Sequence, residues 1–103
     1  MAWQSDLAHL VGGVFLANAL PHLVKGVTGQ RFPTLFARPP GVGESSPLAN
    51  AFWGLVNLGV GYALSFGVGQ VSLGFTRWTL MVGIGFAVGS LVLAGYFGRV
   101  RGR

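Results

Sequence analysis

The side chains best suited to chemistry in this chain are two histidines, His9 and His22, two carboxylates, Asp6 and Glu44, and the serine pair Ser45-Ser46. His22 has the most informative setting. Asn18, His22 and Lys25 follow one another at i, i+4 and i+7, which places them on one helical face. Pro21 beside them lacks a backbone donor and crowds the carbonyl of Ala17. An ionisable group in an apolar segment is a functional candidate: a haem or chlorophyll ligand, a proton relay or a contact to a lipid headgroup. The ordinary alternative is an imidazole satisfied by the freed Ala17 carbonyl or by the loop that follows. His9 invites comparison with helices that hold stacked haems, but thirteen residues at about 100° each turn the two rings ~220° apart. A straight helix then needs a bend at Pro21, or a second copy, to complete such a site.

Other chemistries find fewer parts. With no cysteine and only two histidines and two carboxylates, Asp6 and Glu44 being expected at opposite ends of the helices, no standard metal site assembles. No acid, base and nucleophile converge, and Ser46, followed by Pro47, reads as a helix cap. Gly41-x-Gly43 lacks both a preceding strand and a following Gly-Lys-Ser/Thr, so its glycines read as turn residues and not as a nucleotide loop. The expectation is a protein that is not an enzyme and requires no cofactor.

The elements that must position these residues are apolar. A soluble domain carries about a quarter charged residues, whereas this chain carries 9% with a mean hydropathy of +0.61. The net charge of +5 comes from basic residues that flank apolar stretches without interleaved aromatics, which argues against nucleic acid and for membrane flanks. The pattern predicts an all-α integral membrane protein, one membrane domain over 1–103, with three transmembrane helices at about 6–25, 47–69 and 78–98. A structured inner loop over 26–46 joins the first two, and a basic tail covers 99–103. Ser5 is expected to cap the first span, Trp3 to sit in the interfacial belt and Gly26 to follow the helix end. Ala17-Asn18-Ala19 resembles a signal-peptidase site, but no basic residue precedes the apolar run. In the loop, Pro33 with Phe32, Leu35 and Phe36 predicts a short helix in the headgroup plane.

Along the second span Asn50, Gly54, Asn57, Gly61 and Ser65 recur at helical spacing. In lipid such a stripe must face protein, because small residues let backbones approach and an amide against acyl chains is unsatisfied. The third span offers Gly85-x-x-x-Gly89 for the same purpose, with Gly83, Ala87, Ser90 and Ala94 on adjoining faces. The faces of spans two and three are expected to satisfy each other, and the 26–46 loop and the stripe to contact other membrane subunits or further copies. If the loop and the C-terminus share a side, Lys25, Arg31, Arg38, Arg99, Arg101 and Arg103 lie together, leaving only Arg77 opposite. The positive-inside rule then gives N-terminus outside and C-terminus cytoplasmic, in a bacterial inner membrane, with these six side chains at lipid headgroups.

The run from His9 to Asn57 resembles small uncharacterised bacterial multi-span membrane proteins. The likeness lies in a first span ending in Asn-x-x-Pro-His, a Phe-Pro loop, and Ser-Ser-Pro opening a span with Asn and Trp-Gly. It implies no activity. Small multidrug transporters differ, having four spans and a glutamate within the first. The sequence therefore points to a non-catalytic accessory subunit of a larger bacterial membrane complex, at an edge lined by lipid or pigment. The alternatives are a self-assembling channel or transporter lined by Asn50, Asn57 and Ser65, and a haem or (bacterio)chlorophyll protein using His22 or His9.

Overall fold

The computed structural model describes residues 2–102. It contains helices α1 (Ala2–Val27), α2 (Pro47–Phe66) and α3 (Arg77–Arg101), and a two-residue antiparallel pair, β1 (Phe32–Pro33) with β2 (Glu44–Ser45), in the loop between α1 and α2. Helix α1 is the centre of the packing: α2 and α3 both lie along it and have little contact with each other.

One expectation about membrane crossing is overturned. The described residues form three helices, and among them Trp3–Val27 and Arg77–Arg101 alone are long and apolar enough to cross a membrane. Helix α2 falls short because Asn50 and Asn57, together with Pro47, Trp53 and Tyr62, dilute its aliphatic residues. With α2 not qualifying as a span, an N-terminus outside and a C-terminus inside no longer follow from an odd number of crossings.

The adjacent glycines of α1 explain why it is central. Residues 12 and 13 point about 100° apart, so each can accept a different helix. A Cβ on Gly12 would lie 2.6 Å from Ser65 Oγ of α2, and one on Gly13 would run into the backbone of α3 at Val82 and Phe86. The α2 stripe meets α1 throughout its length. Gly61 lies against Leu16 and the Gly12 carbonyl, Gly54 against Leu23, and Gly26 of α1 against Ala51. On α3, Gly85 faces the Leu10 carbonyl, and Gly89 faces Val14 and Ala17. The small-residue faces of α2 and α3 thus pack on α1, not on each other as the sequence suggests.

The ends of the helices follow local chemistry. Gly29, at φ +76°, closes α1 in a Schellman arrangement, with Gln30 N–H donating to the Lys25 carbonyl at 2.8 Å and Gly29 N–H to Gly26 at 3.1 Å. The left-handed residue is therefore Gly29, three positions after the expected Gly26, which is instead spent on close approach to α2. The start of α1 also differs from expectation: the helix begins at Ala2 and Ser5 lies within it. Ser46 does cap α2, its Oγ accepting from Ala49 N–H at 3.1 Å with Pro47 next in line, and Thr76 caps α3 in the same way. Ser46→Ala should lower unfolding stability in detergent by about 1 kcal/mol, while Ser46→Asp should retain most of it. Thermal melts followed by circular dichroism would check this.

The expected loop helix is absent. Phe32 and Pro33 are buried in strand pairing, and Thr34 continues it through its N–H to the Gly43 carbonyl at 3.3 Å and its Oγ1 to Ser45 Oγ at 2.6 Å. The Thr34 carbonyl receives Gly41 N–H at 2.8 Å, which closes the turn and leaves Leu35 and Phe36 exposed.

Candidate functional site

The buried polar groups form a seam along the face of α1 that meets α2 and the loop. Its core is Asn50, which is fully buried. Asn50 Nδ2 donates to the carbonyls of Phe32, Ser45 and Ser46 at 3.1, 3.2 and 3.1 Å. Because carbonyls can only accept, these contacts fix the amide's orientation and turn Oδ1 toward His22 Nδ1, 2.8 Å away. The hydrogen of that contact must then sit on Nδ1, so Nε2 carries the lone pair in a neutral ring. Two phenyl rings stand edge-on to the imidazole, Phe32 at 5.5 Å and Phe97 at 6.3 Å between centroids. The partner of His22 is thus a side chain of α2, neither the Ala17 carbonyl nor a loop group, and the same amide ties the loop to both helices.

Further along the seam, Asn18 Nδ2 donates to Asn57 Oδ1 at 2.9 Å, and Asn57 Nδ2 to the Trp53 carbonyl at 2.8 Å. Ser65 follows, its Oγ buried beside Gly12 without a hydrogen-bond partner. At the far end His9 Nε2 donates to the Val68 carbonyl at 2.7 Å, with Trp78 6.4 Å away edge-on. Above it Arg77 grips Asp6 in a fork, with Nε at 2.9 Å from Oδ1 and Nη2 at 2.6 Å from Oδ2. The sequence held a signal for this pair, since Asp6 and Arg77 are the charges expected at that end. It held none for Tyr96, whose hydroxyl donates to the Gly41 carbonyl at 2.7 Å, or for Trp78, whose indole donates to the Ser65 carbonyl at 2.6 Å.

These contacts decide which proposed chemistry the geometry can host. His9 and His22 lie about 20 Å apart along α1, too far to act on one group. His9 is 3% exposed and its Nε2 is already engaged. His22 is equally enclosed, and the pocket beside it, lined by Asn18, Thr34, Trp53, Leu93 and Tyr96 among others, has a volume of about 200 Å³. Ligand sites run to roughly 300–1,000 Å³, so this pocket has no room for a tetrapyrrole. Among the described residues no three His, Asp or Glu side chains gather as a metal site would require.

All five stripe residues, Asn50, Gly54, Asn57, Gly61 and Ser65, are the buried residues of α2, and Gly85 and Gly89 are those of α3. The surface they line is internal to the chain. The basic residues gather at the loop end. Lys25 Nζ donates to Gln30 Oε1 at 3.0 Å, Arg31 reaches the Glu44 carbonyl at 3.3 Å, and Arg101 stands 3.6 Å from the Glu44 carboxylate. Glu44 therefore pairs with the end of α3. Arg38 is exposed, Arg99 is on the last turns of α3, and Arg103 lies outside the described residues.

No protein-family model matches the chain, and neither does any curated protein or solved structure. The sequence and fold describe a small helical protein with two helices able to cross a membrane by length and composition.

Proposed function

We propose that this protein is a non-catalytic accessory subunit of a larger membrane complex in the bacterial inner membrane, akin to the small multi-span proteins its first half resembles. The observation that carries the reading is the two-sidedness of α3. Gly85 and Gly89 pack on α1, while Gly83, Ala87, Ser90, Ala94 and Gly98, at spacings of four, three, four and four, line the opposite side. Cβ atoms built at Gly83 and Gly98 would meet nothing within 4 Å. Only 11% of the apolar window of α3 is buried, against 33% for α1. A face of small residues with nothing on it lets another helix approach closely. The contact surface assigned from sequence to the Asn50–Ser65 stripe therefore moves to α3.

The channel reading has less support. Asn50, Asn57 and Ser65 would line its path, yet they are 0%, 1% and 0% exposed and packed against α1. The cytoplasmic placement of the loop and C-terminus rests on the concentration of basic residues there.

Gentle detergent extraction from the native membrane, followed by native-gel mass analysis, tests the proposal. A band containing other polypeptides is expected. Gly83→Leu should release the chain from that band while leaving its helicity and melting temperature intact. A band of this chain alone, in wild type and variant alike, would overturn the reading.

A further inference from the structure

The loop end of the molecule combines a cationic shelf with an apolar groove. Phe32, buried at 5% exposure, is the floor of the shelf: the Arg101 guanidinium lies 4.9 Å from its ring centroid and Lys25 Nζ 5.9 Å. Arg31, on the Glu44 carbonyl, extends the shelf along the loop, and Arg38 is exposed on the same loop. Among the described residues, Glu44 is the carboxylate side chain at this end, and it stands 3.6 Å from Arg101. The shelf sits level with the C-terminal ends of α1 and α3, the two helices able to cross a membrane, which is where headgroup phosphates would lie.

Beneath the shelf, two neighbouring pockets lie on α1 between α2 and α3. The lower one, about 280 Å³, is almost wholly apolar, with Val14, Phe15, Val88 and Val92 among its walls. It shares Asn18 and Leu93 with the upper pocket under the loop. Phe97, in the wall of the upper pocket, lies tilted against Phe32 with 4.5 Å between ring centroids, so the two pockets follow one another from mid-helix toward the foot of the shelf. Leu35, Phe36 and Val42 on the loop are exposed alongside.

From this geometry we infer that the protein holds an anionic phospholipid, with its phosphate on Lys25, Arg31, Arg38 and Arg101 and an acyl chain in the groove between α2 and α3. A free phosphate would use the cations but not the groove, and a neutral lipid would use the groove but not the excess of positive charge. The inference rests on the chain being membrane-embedded but not on its belonging to a complex.

The test uses the full chain in detergent, titrated with phosphatidylglycerol or phosphatidylcholine, with retained lipid counted by native mass spectrometry. Phosphatidylglycerol should be retained at least tenfold better, since each cation near an anionic phosphate contributes roughly a fivefold preference. Arg31→Gln with Arg38→Gln, whose side chains make little of the fold, should remove most of that preference. Glu44→Gln should increase it, an effect opposite in sign to the loss a merely structural role would produce. Glycerol 1-phosphate, which carries the phosphate without chains, should not displace the lipid. Equal retention of the two lipids, an unchanged double variant or displacement by glycerol phosphate would each overturn the inference. Failure of the wild-type chain to insert into phosphatidylcholine vesicles would instead overturn the membrane reading beneath it.

Discussion

Gly85→Ala should loosen α3 from α1 and lower stability by about 3 kcal/mol, the upper part of the usual range for overpacking. The added Cβ would land on the Leu10 carbonyl, a backbone atom that no side-chain rotation can move aside. Gly13 makes the reciprocal approach, bringing the α1 backbone to Val82 and Phe86, so the two helices touch main chain to main chain. One methyl group must therefore spread them over the whole contact. Gly83→Ala, two residues away and on the far side of the helix, meets nothing within 4 Å. It should be neutral or slightly stabilising, because alanine is the better helix former by up to about 1 kcal/mol. Melting temperatures of the two variants in one detergent, read by circular dichroism, give the comparison. Equal losses would mean that α3 does not dock through the Gly85 face.

Such a contrast shows what the sequence could reveal here and what it could not. Helical spacing alone marks Asn50, Gly54, Asn57, Gly61 and Ser65 as a face that must meet protein, since amides are unsatisfied against apolar surroundings. It does not say which helix they meet. That choice is made on α1, where two adjacent glycines admit one neighbour each, and a glycine pair in a glycine-rich chain has no distinguishing pattern. The same amides misled in another respect. They belong to a helix that falls short of a membrane span by its own hydropathy, although both amides are hydrogen-bonded within the fold.

The loop was least legible for a related reason. Pro33 at the head of Phe32, Leu35 and Phe36 looks like the start of a short helix when only neighbours in sequence are weighed. Its actual conformation is decided by partners far along the chain: Ser45 and Glu44 across the strand pair, Tyr96 on Gly41 and Asn50 on the Phe32 carbonyl. The Ser46 cap could be anticipated because its hydrogen bond spans three residues. The His22–Asn50 contact spans 28 and could not.

Asn50→Leu tests that contact and should be the most damaging exchange on α2, at about 3–5 kcal/mol. Leucine has the branched outline of asparagine, with bulkier methyl groups, but neither donates nor accepts. Its introduction would strand the His22 Nδ1–H and remove the donor shared by the Phe32, Ser45 and Ser46 carbonyls. The Ser46 carbonyl keeps the backbone N–H of residue 50 at 3.0 Å, so the loss falls chiefly on the imidazole and the loop. An unpartnered buried polar group costs about 1–3 kcal/mol, and here at least two are created together. Asn57→Leu provides the scale: it strands only the Asn18 amide, because the Trp53 carbonyl to which Asn57 donates lies in the helix ladder. That exchange should cost about 1–2 kcal/mol. The two should also differ in where they act. With Asn50 gone, the Phe32 strand is no longer tied to α2, and trypsin should cut after Arg31 far faster than in wild type. With Asn57 gone, the loop keeps its anchors and should stay protected. Similar melting temperatures and similar cleavage for both variants would show that the loop is held by its strand pair and Tyr96 alone, and that the seam between His22 and Asn50 is incidental to it.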